Sequence, residues 1–170
     1  MSLKKIVLAV GVMACLSLMY AAAAEILFPD MTPEKGTFDT PAGKLTEKPK
    51  NVWSATTFAA GVKGKPLEGK LVTVVGEIVD VSCYLQLGKH GTKHRDCGQK
   101  CLKNGQPIGL LTKDGTLYLL MEEEHDQRRD GLTTFRQAAI DHMAYVMEVS
   151  GTMTNVAGIK ALYVQSFVKK

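Results

Sequence analysis

Residues 71–81 read LVTVVGEIVDV. The run is rich in β-branched residues, which are stiff at χ1 and pack well on a pleated surface, and it is long enough for a bent strand. Gly76 inside it marks a bulge or a close approach of another element. Downstream, PIGLLTKDGTLYLLM (107–121) reads as a hairpin whose turn is Lys113-Asp114-Gly115, because Asp-Gly tolerates the positive φ that tight turns need. A polar stretch, EEEHDQRRDG, follows. Leu132, Phe135, Ala139, His142 and Val146 then recur at helical spacing, with Thr133 or Thr134 as the cap. VMEVSGTM (146–153) and IKALYVQSFV (159–168) read as two more strands about a turn at Asn155 to Gly158. The order is strand, long insertion, strand, strand, helix, strand, strand. This is the element order of an all-β, OB-fold-like five-stranded small barrel, with the helix closing one end; a generic small β-barrel is the alternative.

Upstream of residue 67 the texture differs. Pro29, Pro33, Pro41, Pro49 and Pro66 recur among Gly36, Gly43, Gly61 and Gly64, a density that interrupts regular elements. Residues 25–66 therefore read as a loosely ordered segment pinned to the core by Trp53, Phe58 and Leu67, and residues 67–170 as the barrel domain. The first residues are of another kind. Lys4 and Lys5 precede an apolar run from Ile6 to Met19, followed by Ala21 to Ala24, the layout of a secretory signal peptide spanning 1–24. The run is short for a stable span, which takes ~20 residues. An uncleaved anchor and lipidation at Cys15 are the alternatives.

The chain has 170 residues, 45% hydrophobic and 22% charged, with a net charge of +4. That composition supports a core and is not that of a disordered chain. Removal of the signal leaves 146 residues with a net charge of +2 and three of the four cysteines. Export points to an oxidising compartment such as a bacterial periplasm. It also argues against a nucleic-acid partner, as does so small a charge. No membrane span is expected after cleavage. An unidentified protein partner and the oligomeric state stay open.

The insertion after the first strand, SCYLQLGKHGTKHRDCGQKCLKNGQP (82–107), holds Cys83, Cys97 and Cys101 together with His90 and His94. His94, Cys97 and Cys101 are spaced i, i+3, i+7, so a helix over 94–103 lays them on one face. Cys83, leaving the first strand, supplies a fourth ligand. Three thiolates and an imidazole are a tetrahedral zinc set, and also suit copper or iron. His90, one turn back, and His125, after the third strand, are accessory candidates. Lys89, Lys93, Arg95, Lys100 and Lys103 crowd the segment, and cations favour thiolate over thiol. Two other readings use the same cysteines. One is a thiol–disulfide or electron-transfer partner acting through Cys97 and Cys101; the other is a ligand- or protein-binding barrel stapled by a disulfide, although an i, i+4 bridge within a regular helix is strained. There is no C-x-x-C, no C-x-x-C-H, no G-x-S-x-G, no H-E-x-x-H and no phosphate-cradling glycine loop. The sequence gives no positive support for an enzyme.

Gly76-Glu77-Ile78-Val79-Asp80, Cys83-Tyr84, His94 with Cys97 and Cys101, Gly105-Gln106-Pro107-Ile108-Gly109-Leu110-Leu111 and Asp114-Gly115-Thr116-Leu117-Tyr118-Leu119-Leu120 form one block of about 45 residues. The block resembles a group of exported, mostly uncharacterised bacterial proteins with an OB-like barrel. The resemblance implies that Cys83, His94, Cys97 and Cys101 act as one unit, and it carries no activity with it.

Overall fold

The structure, a computed structural model, describes residues 31–123 and 132–165. The signal-like segment 1–24 and His125 lie outside them. The bent strand is β1, Lys70–Asp80. Its first part, Lys70 to Glu77, pairs antiparallel with β4 (Val146–Val156), and its last, Glu77 to Asp80, pairs with β2 (Ile108–Leu111). Gly76 sits at this change of partner. A Cβ there would lie 2.7 Å from Leu110 Cγ and 2.8 Å from the Leu111 carbonyl oxygen, so the crossing of β1 over β2 requires glycine. β2 turns through Thr112–Thr116 into β3 (Leu117–Glu122), and β5 (Ile159–Val164) lies parallel to β3 and antiparallel to β4. The order β1-β2-β3-β5-β4 closes on itself as a five-stranded barrel, in keeping with the OB-like reading. Ala157 (φ 52°) and Gly158 (φ 84°) make the β4–β5 connection, the two successive left-handed residues that match the twist of a tight hairpin.

Inward residues from every strand, among them Ile78, Leu110, Leu120, Val149, Leu162 and Val164, form one core. The helix between β3 and β4, Thr134–Asp141, adds Phe135, Ala139 and Ile140 to it. Its cap is Thr133, whose hydroxyl accepts from the Arg136 N–H. This helix stops one turn earlier than the spacing predicts: His142 is its C-cap and Val146 already belongs to β4. The cause is the backbone at Ala144 (φ 64°), whose N–H donates to the Ile78 carbonyl and turns the chain back onto β1.

The Pro- and Gly-rich segment carries few regular elements from residue 32 onward, yet it is fastened to β4. Lys35 bridges to Tyr145 and Lys44 to Glu148, and the Ala42 N–H donates to the Val146 carbonyl. Proline and glycine interrupt ladders without preventing such single pairings. Trp53 is the pin that the sequence suggests. It is buried, its indole N–H donates to the Leu67 carbonyl at 2.8 Å, and its ring meets Tyr163 edge-on at 5.4 Å. Phe58 and Leu67 are not pins, being 49% and 64% exposed. Phe58 lies on a six-residue helix, α1 (Ala55–Ala60), whose buried residue is Thr57, hydrogen-bonded to the buried carboxylate of Glu123.

Candidate metal centre

β1 ends at Asp80, which is fully buried and at the same time caps the helix that follows it. That helix, α2 (Val81–Leu87), replaces the strand end expected at Val81. Asp80 Oδ1 accepts the Ser82 N–H at 3.0 Å, satisfying one of the free donors of the first turn. The cap fixes Cys83 three residues along, in the first turn of α2 and within reach of the same carboxylate. The chain then leaves α2 through Gly88 (φ 66°) and re-enters helix through a short 3-10 turn, Thr92–His94, that runs into α3, Arg95–Lys103. Gly98 and Leu102, an i, i+4 pair, are buried against the barrel side, where Gly98 faces Met143. Cys97 and Cys101 are the next i, i+4 pair, Cys97 exposed and Cys101 half-buried. The helix before β4, α4 (Thr134–Asp141), packs against α3. Gln99 donates to the Ile140 carbonyl, Arg95 to those of Asp141 and Met143, and Arg136 to those of Leu102 and Gln106.

These elements bring two overlapping groups together. The sulfurs of Cys83, Cys97 and Cys101 form one, and donor atoms of Asp80, Cys83 and His94 form the other; within each, all atoms lie within 4.8 Å of one another. Each group is close enough to hold a metal ion. All three cysteines are free. Cys83, which the sequence offers as the fourth ligand, is the member common to both. His94 is grouped with Cys83 and Asp80, and Cys97 and Cys101 with Cys83.

Asp80 and His94 carry the strongest sign that something belongs between them. Asp80 Oδ2 and His94 Nε2 are both buried and both lack a hydrogen-bond partner. They are 4.0 Å apart, too far to bond each other. An unpartnered buried polar atom costs about 1–3 kcal/mol, and an ion bound by both removes that cost. Burial pushes the His94 pKa below its ordinary value, against the pull of Asp80, which favours the neutral ring that a metal ligand must present.

Cys83 and Cys101 do not respond to the surrounding lysines as the sequence suggests. Partial burial first, then the Asp80 carboxylate and the neighbouring cysteine sulfurs, push Cys101 up to about 12; burial and Asp80 raise Cys83 likewise. Lys89, Lys93, Lys100 and Lys103 are exposed, where water screens their charge. Arg95 is turned to α4 and stacks on Tyr145, 5.0 Å from the ring centre. Cys83 and Cys101 are thus the reverse of the low-pKa, reactive kind.

His90, an accessory candidate from sequence, stands outside both groups. Its Nδ1 meets Glu77 Oε2 at 2.9 Å, and the Gly91 N–H donates to Glu77 Oε1 at 2.7 Å. The donor that spacing arguments miss is Asp80. A signal for it existed: an Asp at a strand exit, two residues before Ser82, fits a helix cap, and the cap places it beside Cys83. No protein-family model matches the chain, and neither a curated protein nor a solved structure matches it significantly.

Proposed function

We propose that this is an exported, periplasmic, non-enzymatic metal-binding protein that takes zinc through Cys83, His94, Cys97 and Cys101 with Asp80. The observation that carries the reading is the facing pair of orphaned atoms, Asp80 Oδ2 and His94 Nε2, beside three free thiols. Thiolate, imidazole and carboxylate together are a zinc donor set; copper or iron in place of zinc would keep the site and change its chemistry. Export rests on the charged, apolar and small-residue layout of residues 1–24. The proximity of three sulfurs supports a second reading, thiol–disulfide exchange through Cys97 and Cys101. The upward shift of Cys101 weighs against it.

The test is elemental analysis with thiol counting on the mature protein taken from the exported fraction. At least one equivalent of zinc, with thiols that react only after chelation, supports the proposal. Metal-free protein with three freely reacting thiols overturns it. Metal-free protein with a single reactive thiol replaces it with the redox or disulfide-stapled reading.

A further inference from the structure

The five donors do not make one mutually close set. They make two triads with one shared corner. A single tetrahedral zinc with bonds of 2.0–2.3 Å holds its donors roughly 3.3–3.8 Å apart, and so must touch all of them at once. Here His94 groups with Asp80 and Cys83, Cys97 groups with Cys83 and Cys101, and the Asp80 carboxylate reaches the Cys101 thiol as well as that of Cys83.

Resting on the metal-binding reading above, we propose that the loop between β1 and β2 holds two metal ions sharing the Cys83 thiolate. An inner ion lies on Asp80, Cys83 and His94, and an outer ion on Cys83, Cys97 and Cys101. Water fills the remaining coordination positions.

Charge favours two ions. When bound, the donors are four anions, the Asp80 carboxylate and three thiolates, with a neutral imidazole. One divalent cation leaves two negative charges uncompensated around a fully buried carboxylate, and burying unpaired charge is costly. Two divalent cations neutralise the set. The lysines of the loop are exposed to water and are poorly placed to do so. A thiolate sulfur retains lone pairs after binding one ion, so a shared Cys83 is chemically ordinary.

The two positions differ in kind. The inner triad offers oxygen, sulfur and nitrogen from residues that are buried in the case of Asp80 and His94. The outer triad is all sulfur and includes the exposed Cys97, so it suits softer ions and opens to solvent. The inner ion is then the retained one, and the outer ion the one that exchanges with a thiol-bearing acceptor.

The experiment is titration of the reduced full mature chain with cadmium-113, read by equilibrium dialysis and cadmium NMR. Two tight equivalents, two resonances and a scalar coupling between them through the Cys83 sulfur are expected. The double variant Cys97→Ser with Cys101→Ser should halve the stoichiometry and keep the inner resonance. The double variant Asp80→Asn with His94→Gln should halve it and keep the outer one. One tight equivalent with a single resonance overturns the two-ion site, as do two uncoupled resonances. No tight cadmium at all overturns the metal-binding reading itself. If a variant fails to fold, the stoichiometry and coupling of the unmutated chain decide the matter alone.

Discussion

Glu77→Gln tests whether the approach to the candidate metal centre is held from inside the barrel. Glu77 is 1% exposed, on β1, and its two carboxylate oxygens take the Gly91 N–H at 2.7 Å and His90 Nδ1 at 2.9 Å. Gly91 adopts φ 72° three residues before His94, so these bonds fix where the chain turns toward the buried imidazole. Glutamine keeps the shape and the oxygen for Gly91 but removes the charge facing His90. A hydrogen bond to a charged group contributes about 1.5–3 kcal/mol. The His90 side chain is a quarter exposed (25%), which places the expected loss near the lower end, about 1–2 kcal/mol. The bond to Glu77, against a smaller opposing effect of burial, raises the His90 pKa above its ordinary value of 6.5. A raised folded-state pKa gives stabilisation that is complete below the unfolded value and lost as pH rises through the folded one. Urea denaturation of both proteins, with chelator and reductant throughout, should therefore show a larger deficit for the variant near about pH 6 than near about pH 9. Groups that titrate alike in the two proteins cancel from the difference. Equal deficits at both pH values, or a larger one at high pH, would refute the reasoning. Glu77→Ala should cost about 1–3 kcal/mol more, because the Gly91 N–H then has no acceptor.

Two further predictions concern the barrel and the segment wrapped on it. Gly151 lies in β4 where a Cβ would run into the Tyr163 carbonyl oxygen of β5, so Gly151→Ala should cost about 3 kcal/mol or more, read as a lowered urea midpoint; a change below about 0.5 kcal/mol would mean that the strands part more easily than the packing implies. Trp53 is the sole tryptophan, and it is buried against Tyr163. Its emission should shift to the red in the same transition as the far-ultraviolet circular dichroism; an earlier fluorescence transition would show the N-terminal segment detaching before the barrel melts.

The barrel was legible because each strand carries its own local signal. β-branched runs, the Asp114-Gly115 turn and the Gly158 connection all favour locally what the closed sheet imposes. Helix α3 and the placement of Cys97 and Cys101 followed from spacing alone. What escaped was α2. Val81 continues an apolar run whose period is that of a strand, and only the side chain of Asp80 ends it, by offering the next turn an acceptor. A cap at the boundary between two elements has no periodicity to reveal it. Thiol acidity escaped for a different reason: a list of lysines gives their number but not their exposure, and burial of the thiol, followed by the Asp80 carboxylate, raises Cys101 despite several solvated ammonium groups.

The same boundary explains how the centre is built. β1 carries Glu77 and Asp80 three residues apart, and each holds one limb of the loop from below. Asp80 caps the helix bearing Cys83, and Glu77 grips the turn that leads to His94. The remaining limb, α3, is held by Leu102 in the core and by Gly98 against Met143, and so carries Cys97 and Cys101. Three independent anchors on a barrel with its own hydrophobic core position the donors. A small zinc domain lacks such a core, and its binding energy is its folding energy. In this chain a bound ion would add to stability by mass action, and the barrel positions the donors. The orphaned Asp80 and His94 atoms are the cost of that preorganisation. The barrel's own hydrophobic core offsets it.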